Sequence, residues 1–88
     1  MRLGKRQLDV LKAADAGRAA AWHSGRGRFS VSGEDGVYGD DVLSRLLELG
    51  LVSHGEQTVS GYKIELTDKG AQALEERRRR DIISGRAS

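Results

Sequence analysis

One stretch limits the folds open to this chain more than any other: Val42, Leu43, Leu46 and Leu47, followed directly by Gly50-Leu51-Val52. The spacing i, i+1, i+4, i+5 puts four apolar side chains on one stripe of a helix. Asp40 stands where an N-cap belongs. Gly50 fits the left-handed position just past the helix end, with Leu51 placed for the apolar contact that accompanies it. The chain must therefore reverse from helix into strand, so that Leu51 and Val52 pair back under the helix they have just left.

The segments on either side follow from the same kind of reading. Leu51-Val52-Ser53-His54 and Gly61-Tyr62-Lys63-Ile64-Glu65-Leu66 read as two strands. The second alternates Tyr62, Ile64 and Leu66 against Lys63 and Glu65, and the polar stretch 55–60 closes a hairpin. Thr67 caps a last helix from Asp68 to about Ile83, with Arg77 to Arg80 near its negative end. Ala71, Leu74 and Ile82 form only a narrow apolar stripe on that helix, which implies a partner surface. Upstream, residues 5–16 read as a first helix with Leu8, Leu11 and Ala14 inward and Lys5, Arg6, Asp9, Lys12 and Asp15 outward. Arg18 to His23 continues it, as one bent helix or two short ones, until Ser24-Gly25-Arg26-Gly27 breaks it. Arg28-Phe29-Ser30-Val31-Ser32 reads as a short edge strand with Phe29 and Val31 facing in. Trp22 and Tyr38 are read as core residues.

With 88 residues the chain forms one small domain, taken as 1–84 with a flexible tail at 85–88. So short a chain buries only about 60% of its unfolded surface, which favours a homodimer in which Leu74 and Ile82 meet a twin helix. It has no cysteine and no proline. Disulfides, thiolate zinc sites and cysteine nucleophiles are excluded, and an intracellular, cytoplasmic setting is expected. No apolar run approaches the roughly 20 residues of a membrane span. His23 and His54 stand apart, so no metal or other cofactor is expected. No catalytic motif occurs, and the chain is not read as an enzyme.

Net charge is +2, but it is segregated. Residues 1–28 carry seven basic and two acidic side chains, residues 29–68 two and eight, and residues 69–88 six and three. Both ends are basic and the middle is acidic, a pattern that suits either an anionic partner or ordinary solvated helix faces.

Arg45-Leu46-Leu47-Glu48-Leu49-Gly50-Leu51-Val52, followed by Tyr62-Lys63-Ile64-Glu65-Leu66-Thr67-Asp68-Lys69-Gly70, resembles winged helix-turn-helix proteins. In that family these would be the end of the recognition helix, the wing and the start of the final helix. The nearest group is MarR-like, with the small phage and prophage proteins related to it. The resemblance covers about residues 40–75, with the helix at 5–16 in place of the family's first helix. It implies an α+β winged helix-turn-helix fold with a short N-terminal edge strand, a β-hairpin wing and a C-terminal helix. The sequence departs from the family before the recognition helix, where residues 24–39 hold five glycines instead of a second helix.

The function implied is binding of double-stranded DNA, as a transcriptional regulator or a phage or prophage control protein. The expected DNA contacts are Arg26 and Arg28 in a glycine-rich segment, Ser44 and Arg45 on the recognition helix, and Gln57, Thr58 and Lys63 on the wing. Arg45 equally fits a pair with Asp41 or Glu48 at helical spacing, and Glu75 and Glu76 are spaced to pair with Arg79 and Arg80. Asp40, Asp41 and Glu48 on the helix that would read DNA oppose phosphate. They define the alternative, a protein-interaction module whose acidic helix and wing bind a basic protein partner.

Overall fold

Residues 50–52 and 66–70 meet at one end of a sheet, and the rest of the chain is arranged around that meeting. The computed structural model describes residues 3–25 and 27–87, with side chains described through Arg80. Its elements are α1 (Lys5–Asp15), β1 (Ala20–Gly25), β2 (Arg28–Ser32), β3 (Val37–Tyr38), α2 (Asp40–Glu48), β4 (Val52–Gln57), β5 (Gly61–Leu66) and α3 (Asp68–Ala87). The five strands form one antiparallel sheet in the order β3-β2-β1-β5-β4, so the fold is α+β with three helices.

Gly50 adopts φ +73, the left-handed conformation that lets α2 turn straight into β4. Thr67 locks the turn to α3. Its hydroxyl donates to the Gly50 carbonyl at 2.6 Å and accepts the Gly70 amide at 3.0 Å, while its own amide donates to the Leu51 carbonyl at 3.2 Å. Gly70 packs so tightly there that a Cβ on it would fall on the Leu51 carbonyl oxygen. The helix start and the helix end are thus one hydrogen-bonded unit.

The core lies on one face of the sheet, where Val10, Leu11, Val31, Leu43, Leu46, Leu51 and Leu74 are fully buried. Ala21, Val31, Ile64 and Val52 supply the sheet side of it. Leu74 is only 1 % exposed and fills this chain's own core. The expectation that it meets a twin helix is corrected accordingly. Its stripe looked narrow because the surface that covers it comes from the same chain. Ile82, the other expected dimer contact, lies outside the described side chains.

Several local expectations are also corrected. Residues 20–25 are not helix but β1, the central strand, paired with both β2 and β5. Alanine favours helix in isolation, but two ladders and the burial of Ala19 and Ala21 at 2 % and 1 % override that preference. β2 is consequently an interior strand between β1 and β3 and not an edge. Among the described residues no helix lies between α1 and α2, because β1 to β3 take up that part of the chain. Trp22, expected in the core, alternates with buried Ala21 and stands half-buried on the opposite face of the sheet. Gly39 and not Asp40 is the residue before α2, and no side chain caps that helix. The Asp40 carboxylate instead accepts the Ser44 hydroxyl at 3.5 Å. β4 runs on to Gln57, leaving a turn shorter than expected, and α3 continues to Ala87, past the expected end of the domain at residue 84.

Asp9, read as outward-facing, is 8 % exposed. Its carboxylate accepts the Asp35 amide at 3.1 and 3.2 Å and the Tyr38 hydroxyl at 2.6 Å, fastening α1 to the turn between β2 and β3. The hydrogen bond to Asp9, with lesser help from burial and nearby carboxylates, pushes the Tyr38 phenol above its ordinary value of 10.0. The native state therefore favours the neutral phenol. Its contribution is fully present below pH 10 and is lost as pH rises through the higher folded value.

Two outcomes are expected. Gly70→Ala should destabilise the fold by about 1–3 kcal/mol through overpacking, and Thr67→Val by about 1–2 kcal/mol through loss of the cap, both measured by urea unfolding. Tyr38→Phe should lessen the loss of stability as pH rises above 10 in the same assay, leaving the slope that Tyr62, also raised, contributes.

Candidate functional site

The sheet has two unlike ends. β1 and β5 are antiparallel neighbours that pair Trp22 with Gly61, so the β1–β2 and β4–β5 hairpin turns project at the same end. The contact between the His23 amide and the Ser60 carbonyl, at 3.4 Å, joins the two turns. α2 runs from Asp40 near this end down to Gly50 at the other. The nearness of Asp40 is felt at Tyr62, whose phenol is raised first by burial and then by that carboxylate.

This end gathers three of the expected contact residues. Arg28 begins β2, is exposed, and forms no ion pair among the described residues. Gln57 ends β4 and is exposed. Thr58 starts the turn, and its hydroxyl oxygen accepts the Gly61 amide at 3.1 Å while its own amide donates to the Gly61 carbonyl at 2.7 Å. Its hydroxyl is therefore first a turn-closing group. Arg26 lies outside the described residues.

The remaining residues are not brought to this end. Ser44 and Arg45 lie on the exposed face of α2, where Arg45 pairs with Glu48 at 3.7 Å. Asp41 is thus not its partner. That face holds Asp40, Asp41 and Glu48 against a single guanidinium. Lys63 sits on the face of β5 turned away from the helices, in a depression lined by Asp15, Gly17 and Glu65 near the opposite end.

The basic helix α3 is partly neutralised within the chain. Arg78 reaches Asp15 at 3.2 Å and Arg79 reaches Glu75 at 3.0 Å. Arg18, just past the same C-terminal end of α1, pairs with Glu34 at 3.6 Å. Exposed pairs of this kind contribute little stability, but they leave less positive charge for a partner.

Two features of the hairpin end were not singled out by sequence. Val59 projects fully into solvent from the β4–β5 turn. His23, Phe29, Tyr62 and His54 bring their rings together across the strands. The alternation of Phe29 and of Tyr62 with their neighbours was a usable signal. His23 escaped because its segment reads locally as helix, where it cannot stand beside Phe29. Among the described residues no group of three or more histidine and acidic side chains is placed to hold a metal ion, and no helix is long and apolar enough to cross a membrane. Comparison with protein-family models, with curated proteins and with solved structures finds no match to this chain.

Proposed function

We propose that this chain is a small winged-helix DNA-binding protein, a transcriptional regulator or a phage or prophage control protein, that meets DNA with the hairpin end of its sheet. The observation that carries the reading is the convergence at that end of Arg28, Gln57 and Thr58 from two hairpins that are far apart in sequence. The β4–β5 hairpin after α2 serves as the wing. Its tip carries Val59, an apolar group of the kind that minor-groove-binding proteins press against base steps. Arg28 supplies a phosphate contact from the neighbouring turn. α2 plays a smaller part than in a usual winged helix, because its exposed carboxylates repel phosphate and its one arginine is already paired. Binding is then electrostatic, with few base contacts, and weakens steeply with salt.

A titration of the full chain with mixed-sequence duplex DNA at low salt, followed by amide NMR, tests this. Shifts should concentrate at residues 24–28 and 57–61, and Arg28→Glu should weaken binding by at least tenfold. No shifts at low salt overturn the reading.

The carboxylate-rich face of α2 favours a second reading, a module that captures a basic protein through Asp40, Asp41 and Glu48. Asp40→Lys together with Asp41→Lys should abolish capture of such a partner in a pull-down. The same change should strengthen DNA binding if the first reading holds, because it removes two repulsive charges from the hairpin end.

A further inference from the structure

Strands β2, β1, β5 and β4 each contribute one ring to the hairpin end of the sheet. The ring centroids of Phe29 and His23 lie 4.2 Å apart, those of Phe29 and Tyr62 5.6 Å, and those of Tyr62 and His54 4.2 Å. At 4.2 Å, with interplanar angles of 35° and 47°, the His23 ring overlaps Phe29 and the His54 ring overlaps Tyr62, which leaves no room for a cation between them and makes a packed row and not a cage. Phe29 and Tyr62 are half-buried against the core, which anchors the row, while His23 and His54 are exposed. The exposed imidazoles, each backed by a half-buried ring, suit nucleobases whatever their sequence, because every base has a π-face to stack.

The charges beside the row sort the parts of a nucleotide strand. A cleft of about 590 Å³ between β2 and the start of α2 is lined by Phe29 together with Ser24, Arg28, Ser30, Asp40 and Asp41. The two carboxylates keep phosphate out of the cleft but accept hydrogen bonds from amino groups on base edges. Arg28, free of any ion pair among the described residues, is the cation available to the backbone. Bases inside a duplex are stacked on one another and present no face to the rings. Only unpaired bases do.

From this juxtaposition the geometry points to a site for unpaired nucleobases, stacked on the exposed rings of His23 and His54 that Phe29 and Tyr62 back, with their edges toward Asp40 and Asp41 and their backbone toward Arg28. The site rests on the DNA-binding reading above and specifies the form of DNA it takes: a duplex continued by a single-stranded end.

Fluorescence anisotropy with the full chain tests it, using a blunt duplex and the same duplex extended by a mixed-sequence overhang of about four nucleotides. The overhang should tighten binding about tenfold, the scale of one or two base–ring stacks. His23→Ala with His54→Ala should remove that gain and leave the blunt-duplex affinity unchanged. Both side chains are exposed, and circular dichroism checks that the fold persists. His23→Phe with His54→Phe should keep the gain, because stacking survives while the imidazole nitrogens are gone. Equal affinity for the two probes, a gain that persists in the alanine pair, or a gain lost in the phenylalanine pair overturns the stacking site and leaves DNA binding standing. Binding to neither probe overturns both.

Discussion

Thr67 joins three elements that would otherwise be independent. Its hydroxyl donates to the carbonyl of Gly50, just past the end of α2, and accepts from the amide of Gly70 in the first turn of α3. The Thr67 amide takes the carbonyl of Leu51, just before β4. One residue thus caps a helix, closes a turn and ties the foot of a hairpin. Gly70 has to be glycine for the same reason, since the backbone it touches is the one that Thr67 holds. This explains why a leucine-glycine-leucine-valine step and a leucine-threonine-x-x-glycine step occur together. They are two halves of a single contact.

With its lower end fixed there, α2 must point its N-terminus toward the hairpin turns. The acidic middle of the sequence is thereby set beside the basic segment around Arg28, and the charge blocks that are separated along the chain become neighbours in space. Elsewhere opposite charges pair off directly, as Arg78 does with Asp15 and Arg18 with Glu34. The net charge says little about where a polyanion would find purchase. What matters is which cations keep no partner and which face carries them.

The parts legible in the sequence are those decided within a few residues. The stripe of α2, the left-handed Gly50, the alternation of β5 and the Thr67 cap all stand as read. The parts that were not legible depend on partners far along the chain. Ala19 to Ala21 carry a local preference for helix, and only pairing with both β2 and β5 makes a strand of that stretch. Asp9 looks like a surface residue until the turn at 33–36 and Tyr38 come back to it. Leu74 suggests a missing partner until the core beneath α3 is visible. For the site the same rule holds. The turn that carries Gln57 and Thr58 was legible as a hairpin, whereas Arg28 read as part of a glycine-rich break after a helix, and both its hairpin and the row of rings needed that helix to become β1.

The sheet is two local hairpins, β1–β2 and β4–β5, joined along a ladder of only three residue pairs between Ala20–Trp22 and Gly61–Lys63. That seam gives the fold a timetable. During synthesis the first hairpin emerges well before β5 exists, and the outer edge of β1, the edge not paired with β2, has nothing to pair with until residue 63 has left the ribosome. An unpaired edge is the usual point of entry for association between chains. The interval is short, and the small, weakly adhesive side chains of Ala19, Ala20 and Ala21 leave little on that edge for a stray strand to grip. Alanine in the middle of a sheet, a poor choice for strand formation, is a good one for waiting.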